Sequence, residues 1–306
     1  MKDWVAYIPF RTAALLFGML PEVAIRKLGV WAGRVASGRN KANRSLLASH
    51  MRRVVGPGAS DPVIFEAVDG MYQSYGRYWA ETLWFRPRRR QSIMRSVERV
   101  NLDPVYAAQD AGRGIVFALP HIGNWEVAGL IAEDIGLNLM AVAEDLPNRK
   151  ITDWFLDVRA KFGIDIVLTS DPNRRSKMIR HLEGGGALAL LADRDVTGRG
   201  ISVDFFGEET TLPAGPAALA ELTGSVLLPV VVYFKEGGGH ILEVGDPIII
   251  PEAETRAERV NVGTRQVAET LERMIRKQPS QWHLFQPNWP SDRENDAKEH
   301  KNRNRA

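Results

Sequence analysis

Cysteine is absent from all 306 residues. That one absence excludes disulfides, thiolate nucleophiles, acyl-cysteine intermediates and cysteine-ligated zinc or iron, and it fits a reducing compartment. No His-Glu-x-x-His sequence occurs and His121 has no second histidine at metal-ligand spacing, so no metal site is expected. A Gly-x-Ser-x-Gly elbow is also missing, and Ser202 stands in a loop with no histidine near it in sequence, which argues against a serine hydrolase. Gly184-Gly185-Gly186 precedes a strand pattern instead of joining a strand to a helix, so it does not read as a dinucleotide loop. Long apolar runs are lacking too. At the N-terminus Pro9, Arg11 and Pro21 interrupt the run well short of the ~20 residues that a bilayer span needs, and no signal-peptidase site follows cleanly.

What is present is an ordinary globular composition, 44% hydrophobic, in a chain long enough to bury a sizeable core without staples. The expected organisation is one α/β domain over 1–290, with residues 1–36 as an amphipathic interfacial segment and 291–306 as a polar, disordered tail without apolar anchors. The formal charge is only +3, but cations concentrate in Arg34 to Arg53 and Arg86 to Arg99. Such patches suit anionic head groups, coenzyme A phosphates or nucleic acid; a solvated helix face is the alternative. No nucleic-acid-binding signature accompanies them. From Glu22 to Ala36, Ala24, Leu28, Trp31 and Val35 share one side of a helical wheel, opposite Arg26, Lys27 and Arg34, as expected of a helix lying in the head-group plane or packed on the core.

Beyond residue 61 helical and strand patterns alternate. Helices are expected over 61–85, 105–111, 148–162, 174–183, 216–223 and 255–277, and strands from Arg99 and over 114–119, 139–143, 164–168, 187–192 and 226–234, the last with a hairpin partner at 240–244. Strands separated by helices of this length imply a mostly parallel central sheet covered on both faces, with ligands beyond the carboxyl ends of the strands. Three segments deliver polar residues at such ends: His121 with Glu126, then Glu144, then Asp193-Arg194-Asp195.

The sharpest of these is Pro120-His121-Ile122-Gly123-Asn124-Trp125-Glu126, which follows the apolar run Gly114 to Leu119. An imidazole becomes a general base when an acid fixes its tautomer and stabilises the imidazolium. A helix entered at Gly123 or Asn124 would return the Glu126 side chain toward His121, and the amides of Gly123 and Asn124 would face an oxyanion. His50, His181, His240, His283 and His300 have no such acid at a strand end.

Together with this motif, Ala192-Asp193-Arg194-Asp195-Val196-Thr197-Gly198-Arg199-Gly200, Val203 to Gly207 and Leu212-Pro213-Ala214-Gly215-Pro216 resemble the signatures of the bacterial lysophospholipid and lipid A acyltransferases. The likeness extends to Arg39 to Arg44, to Tyr78-Trp79-Ala80-Glu81 and to Gln281-Trp282-His283-Leu284-Phe285-Gln286-Pro287, and is nearest to the actinobacterial phosphatidylinositol mannoside acyltransferases. The family's His-x-x-x-x-Asp motif corresponds to His121 and Glu126. The resemblance implies transfer of a long acyl chain, palmitoyl, from acyl-coenzyme A as co-substrate and without a resident cofactor, to a mannose hydroxyl. The enzyme would lie on the cytoplasmic face of the membrane, on anionic lipids and without nucleic acid. It implies His121 as base with Asp195 or Glu126 as its acid, and Arg159, Glu144, Arg194, Ser202 and Glu221 in the groove for substrate or acyl-coenzyme A. A lipid A type acyltransferase for another glycolipid and a non-catalytic membrane-binding protein are the alternatives.

Overall fold

The computed structural model describes residues 2–293, apart from the side chains of Lys2, Asp3, Val5, Lys41 and Ala42. The expected tail therefore lies outside the described residues from 294 onward. Its first residues do not behave as expected: Asp292 is buried, accepts from His50 and pairs with Arg53, and Ser291 accepts from Arg53, so polar residues are held by hydrogen bonds and an ion pair.

Four helices open the chain: α1 (Lys2–Phe17), α2 (Glu22–Arg39), α3 (Lys41–Val55) and α4 (Asp61–Trp84). Pro9 sits inside α1 without ending it, whereas Pro21 separates α1 from α2. The buried stripe of α2 is Ile25, Gly29, Gly33 and Ser37, and it meets α4 where Gly76 faces Gly29. A methyl at Gly33 would stand 2.1 Å from the Tyr72 carbonyl oxygen, so backbones touch there and only glycine fits. The Ala24, Leu28, Trp31 and Val35 face is therefore not the buried one, and Trp31 is exposed.

The remaining elements are α5 (Arg90–Arg95), β1 (Val97–Val100), α6 (Asp103–Asp110), β2 (Ile115–Leu119), α7 (Glu126–Asp134), β3 (Leu139–Ala143), α8 (Arg149–Ala160), β4 (Ile164–Leu168), α9 (Arg174–Glu183), β5 (Ala187–Leu191), β6 (Ile201–Phe205), β7 (Glu208–Leu212), α10 (Gly215–Thr223), β8 (Val226–Phe234), β9 (His240–Val244) and α11 (Arg256–Lys277). Seven strands form one sheet in the order β1-β9-β8-β2-β5-β3-β4, parallel except for the β8–β9 hairpin. Central β2 is buried along its whole length, which is why it reads as an unbroken apolar run. Apolar clusters fill both sides of it, one with Met71, Leu271 and Trp282, the other with Val127, Leu130 and Ile131. The hairpin β6–β7 stands apart as a second, two-stranded sheet within the segment read as a loop around Ser202.

Candidate active site

Parallel pairing of β2 with β5 sets Leu119 opposite Leu191. Two residues further along each strand stand His121 and Asp193, which the register therefore brings side by side at the carboxyl edge of the sheet. The Nδ1 of His121 lies 2.7 Å from Oδ1 of Asp193, and the His121 backbone N–H donates to Oδ2 at 2.9 Å. The indole N–H of Trp282 donates to the same Oδ2 at 2.7 Å, and the Asn288 amide donates to the Asp193 carbonyl. Burial pushes the Asp193 carboxyl up, but the His121 imidazole and these donors outweigh it and hold it below its ordinary value. The carboxylate is thus ionised, and it draws the imidazole proton to Nδ1. Nε2 is left as the basic nitrogen, with no protein partner among the described residues, on a side chain 24% exposed. An imidazole held in this way can accept a proton from a hydroxyl.

The acid is thus neither of the two expected. Glu126 begins α7, and the chain reaches it through an irregular segment, not a helix starting at Gly123. Its carboxylate turns from His121 to Arg159, with contacts of 3.0 and 2.5 Å, and receives the Tyr78 hydroxyl at 3.4 Å. This fork clamps α7 to α8, and the guanidinium is held well above its ordinary value because Glu126 outweighs its burial. Asp195 accepts instead from the backbone N–H groups of Thr197, Gly198 and Gly200 and from the Thr211 hydroxyl, organising its own loop and tying it to β7. Arg194 pairs with Glu144 at 2.9 Å and not with Asp193, so these two strand ends do converge on the rim. Ser202 bonds Glu209 across the hairpin, and Glu221 is occupied by Arg256 and Arg259 of α11; neither touches the His121 group. Ala217 and Ala220 are buried in the core.

The loop after His121 is fixed by backbone contacts. Gly123 adopts φ +57°, and a methyl there would stand 1.9 Å from the Val232 carbonyl oxygen. The Gly123 and Asn124 N–H groups donate to Gln281 and Val232, so they are not available to an oxyanion as expected. Below the loop, Asn124 donates to buried Glu81, which also takes His240 at 2.8 Å and Arg77 at 2.7 Å. Burial raises the Glu81 carboxyl, yet His240 and Arg77 bring it down to about 2. On the open side Trp125 stands edge-on to the His121 ring and stacks on Tyr78, while His283 lies behind. Burial and the nearby His121 push the His283 imidazole down to about 3, keeping it neutral beside the His121 ring.

The chain is 32% identical over 276 residues to a phosphatidylinositol mannoside acyltransferase of Mycolicibacterium smegmatis, covering 89% of this chain and 88% of that one. It is 33% identical over 280 residues to a protein of the same description from Mycobacterium tuberculosis, covering 89% and 85%. The model of the bacterial lipid A biosynthesis acyltransferases matches residues 2–291, so this chain belongs to that family and is an acyltransferase.

Proposed function

We propose that the protein transfers a long acyl chain, palmitoyl, from acyl-coenzyme A to a mannose hydroxyl of a phosphatidylinositol mannoside, with His121 as general base. The observation that carries this reading is the His121 imidazole: one nitrogen bonded to a buried carboxylate, the other without a hydrogen-bond partner among the described residues at the edge of the sheet. The Nε2 lone pair takes the sugar hydroxyl proton as the oxygen attacks the thioester carbonyl. The C–S bond then breaks, and the imidazolium returns its proton to the leaving thiolate. A thioester is already electrophilic, so orientation and base assistance suffice and no acyl-enzyme is required. The mannoside acceptor rests on the names of the relatives at about one-third identity.

The enzyme would work as a peripheral protein on the cytoplasmic face of the membrane. No described helix is long and apolar enough to cross a bilayer. Ile8, Leu15, Leu16, Met19, Val23 and Trp31 of the N-terminal segment are nonetheless exposed, the arrangement of an interfacial helix pair. Purified protein incubated with labelled palmitoyl-coenzyme A and a panel of glycolipids tests the assignment. Label confined to the mannoside supports it; label confined to lipid A precursors transfers it to that acceptor, and no label on any glycolipid overturns it.

A further inference from the structure

A recess whose lining includes neither His121 nor Asp193 lies between α1, α8 and the turn after α4. It is a cavity of about 530 Å³ with aromatic walls from Trp4, Tyr7 and Trp154 and cationic groups from Arg11, Arg86 and Lys150. None of these three cations makes an ion pair with a carboxylate among the described residues, and the acids at the rim are already taken, Asp153 by Arg149 and Asp157 by Lys161. Among the described residues the lining of the recess therefore carries a net positive charge. Arg86 is anchored rather than neutralised: it donates to the backbone carbonyls of Leu83, Phe85 and Ala14, none of which cancels its charge. Burial, then the neighbouring Arg89, Arg11 and Arg88, lower its pKa, as expected of guanidiniums crowded without a counter-ion. Lys150 lies 3.9 Å from the Trp4 ring centroid, so its ammonium rests on an aromatic face that an anion does not disturb.

We propose that this recess binds the phosphate of an anionic phospholipid and orients the enzyme on the bilayer. Charge complementarity and position argue for a lipid in the membrane. Leu15 lines the recess and is itself exposed, continuous with exposed Ile8, Leu16 and Met19, so a head group seated among the arginines would place its acyl chains beside apolar side chains. A freely dissolved phosphate would leave that apolar rim uncovered. The inference rests on the reading of the chain as a peripheral membrane enzyme and adds the site at which the head group is held.

Co-sedimentation with vesicles tests it, using phosphatidylcholine alone and phosphatidylcholine mixed with phosphatidylglycerol. The variant is Arg11→Gln with Lys150→Gln, because neither side chain donates a hydrogen bond within the described protein, whereas Arg86 holds backbone. The wild type should partition onto the anionic vesicles, and the double variant about tenfold or more less, given roughly a factor of five per cation near such a surface. Its melting temperature and its transfer to a detergent-dispersed acceptor should stay unchanged. Equal partition of the two proteins onto anionic vesicles overturns the site while leaving the membrane reading intact. Wild-type binding to neither vesicle overturns both.

Discussion

His50 and His121 carry the same kind of partner, a buried carboxylate at 2.9 Å from Asp292 and at 2.7 Å from Asp193. Their surroundings differ in two respects. The second nitrogen of His50 is used by the Leu284 carbonyl and its side chain is wholly buried, whereas the second nitrogen of His121 has no hydrogen-bond partner among the described residues and its ring is partly exposed. A third pair, His240 with Glu81, is likewise buried. The acid therefore does not make the base. Every one of these histidines has an acid, and His240 also keeps an unpartnered Nδ1, but that nitrogen is buried; what distinguishes His121 is an unspent nitrogen on a ring that solvent can reach.

The contrast can be broken first at His121. His121→Ala should lower acyl transfer by about 10²- to 10⁴-fold with little change in melting temperature, the range expected for loss of a general base; a rate within threefold of wild type would remove the ring from the chemistry. Asp193→Asn should cost on the order of 10²-fold in kcat, because an amide no longer selects the Nδ1–H tautomer. The comparison variant His50→Ala should do the reverse. It breaks a buried pair and should reduce unfolding free energy in urea by about 3 kcal/mol, with kcat of the folded fraction unchanged.

Acid titration sharpens the same contrast. Burial raises the Asp292 carboxyl, but the His50 bond and the Asn288 and Trp289 amides bring it well below its ordinary value. Its contribution is thus fully present above the usual carboxylate range and is lost as pH falls through it and below. His283 acts earlier. With its folded value at about 3, the unfolded chain binds the extra proton from about pH 6.5 downward, so stability should fall by about 1.4 kcal/mol per pH unit below that point. His283→Gln should flatten the slope between pH 6 and pH 5, read from urea midpoints. An unchanged slope would place the sensitivity elsewhere.

Much of this was legible in the chain because period and punctuation agree. The strands over 139–143, 164–168, 226–234 and 240–244 and the helix over 174–183 lie where their patterns place them, since each is an apolar or amphipathic run bounded by glycine, proline or polar residues. The parallel sheet and the polar strand ends followed from that alternation. The choice of acid did not. Asp193 and Asp195 both follow β5, and local spacing favours Glu126; only the pairing of Leu119 with Leu191 selects Asp193, and register is a long-range property. Trp282 and Asn288 were hidden for the same reason, since they reach the site from beyond α11. The β6–β7 hairpin was missed because Asp204, Glu208 and Glu209 dilute its apolar alternation, and the packing face of α2 because glycine has no hydropathy to display.

The Asp193 carboxylate is held by an indole from residue 282, and the carbonyl behind it by an amide from residue 288. A nascent chain that has already laid down β2 and β5 would hold the histidine and its acid, yet lack the donors that lock the pair. A copy that ends before residue 282 should therefore lose both donors and, with them, the fixed orientation of the His121–Asp193 pair.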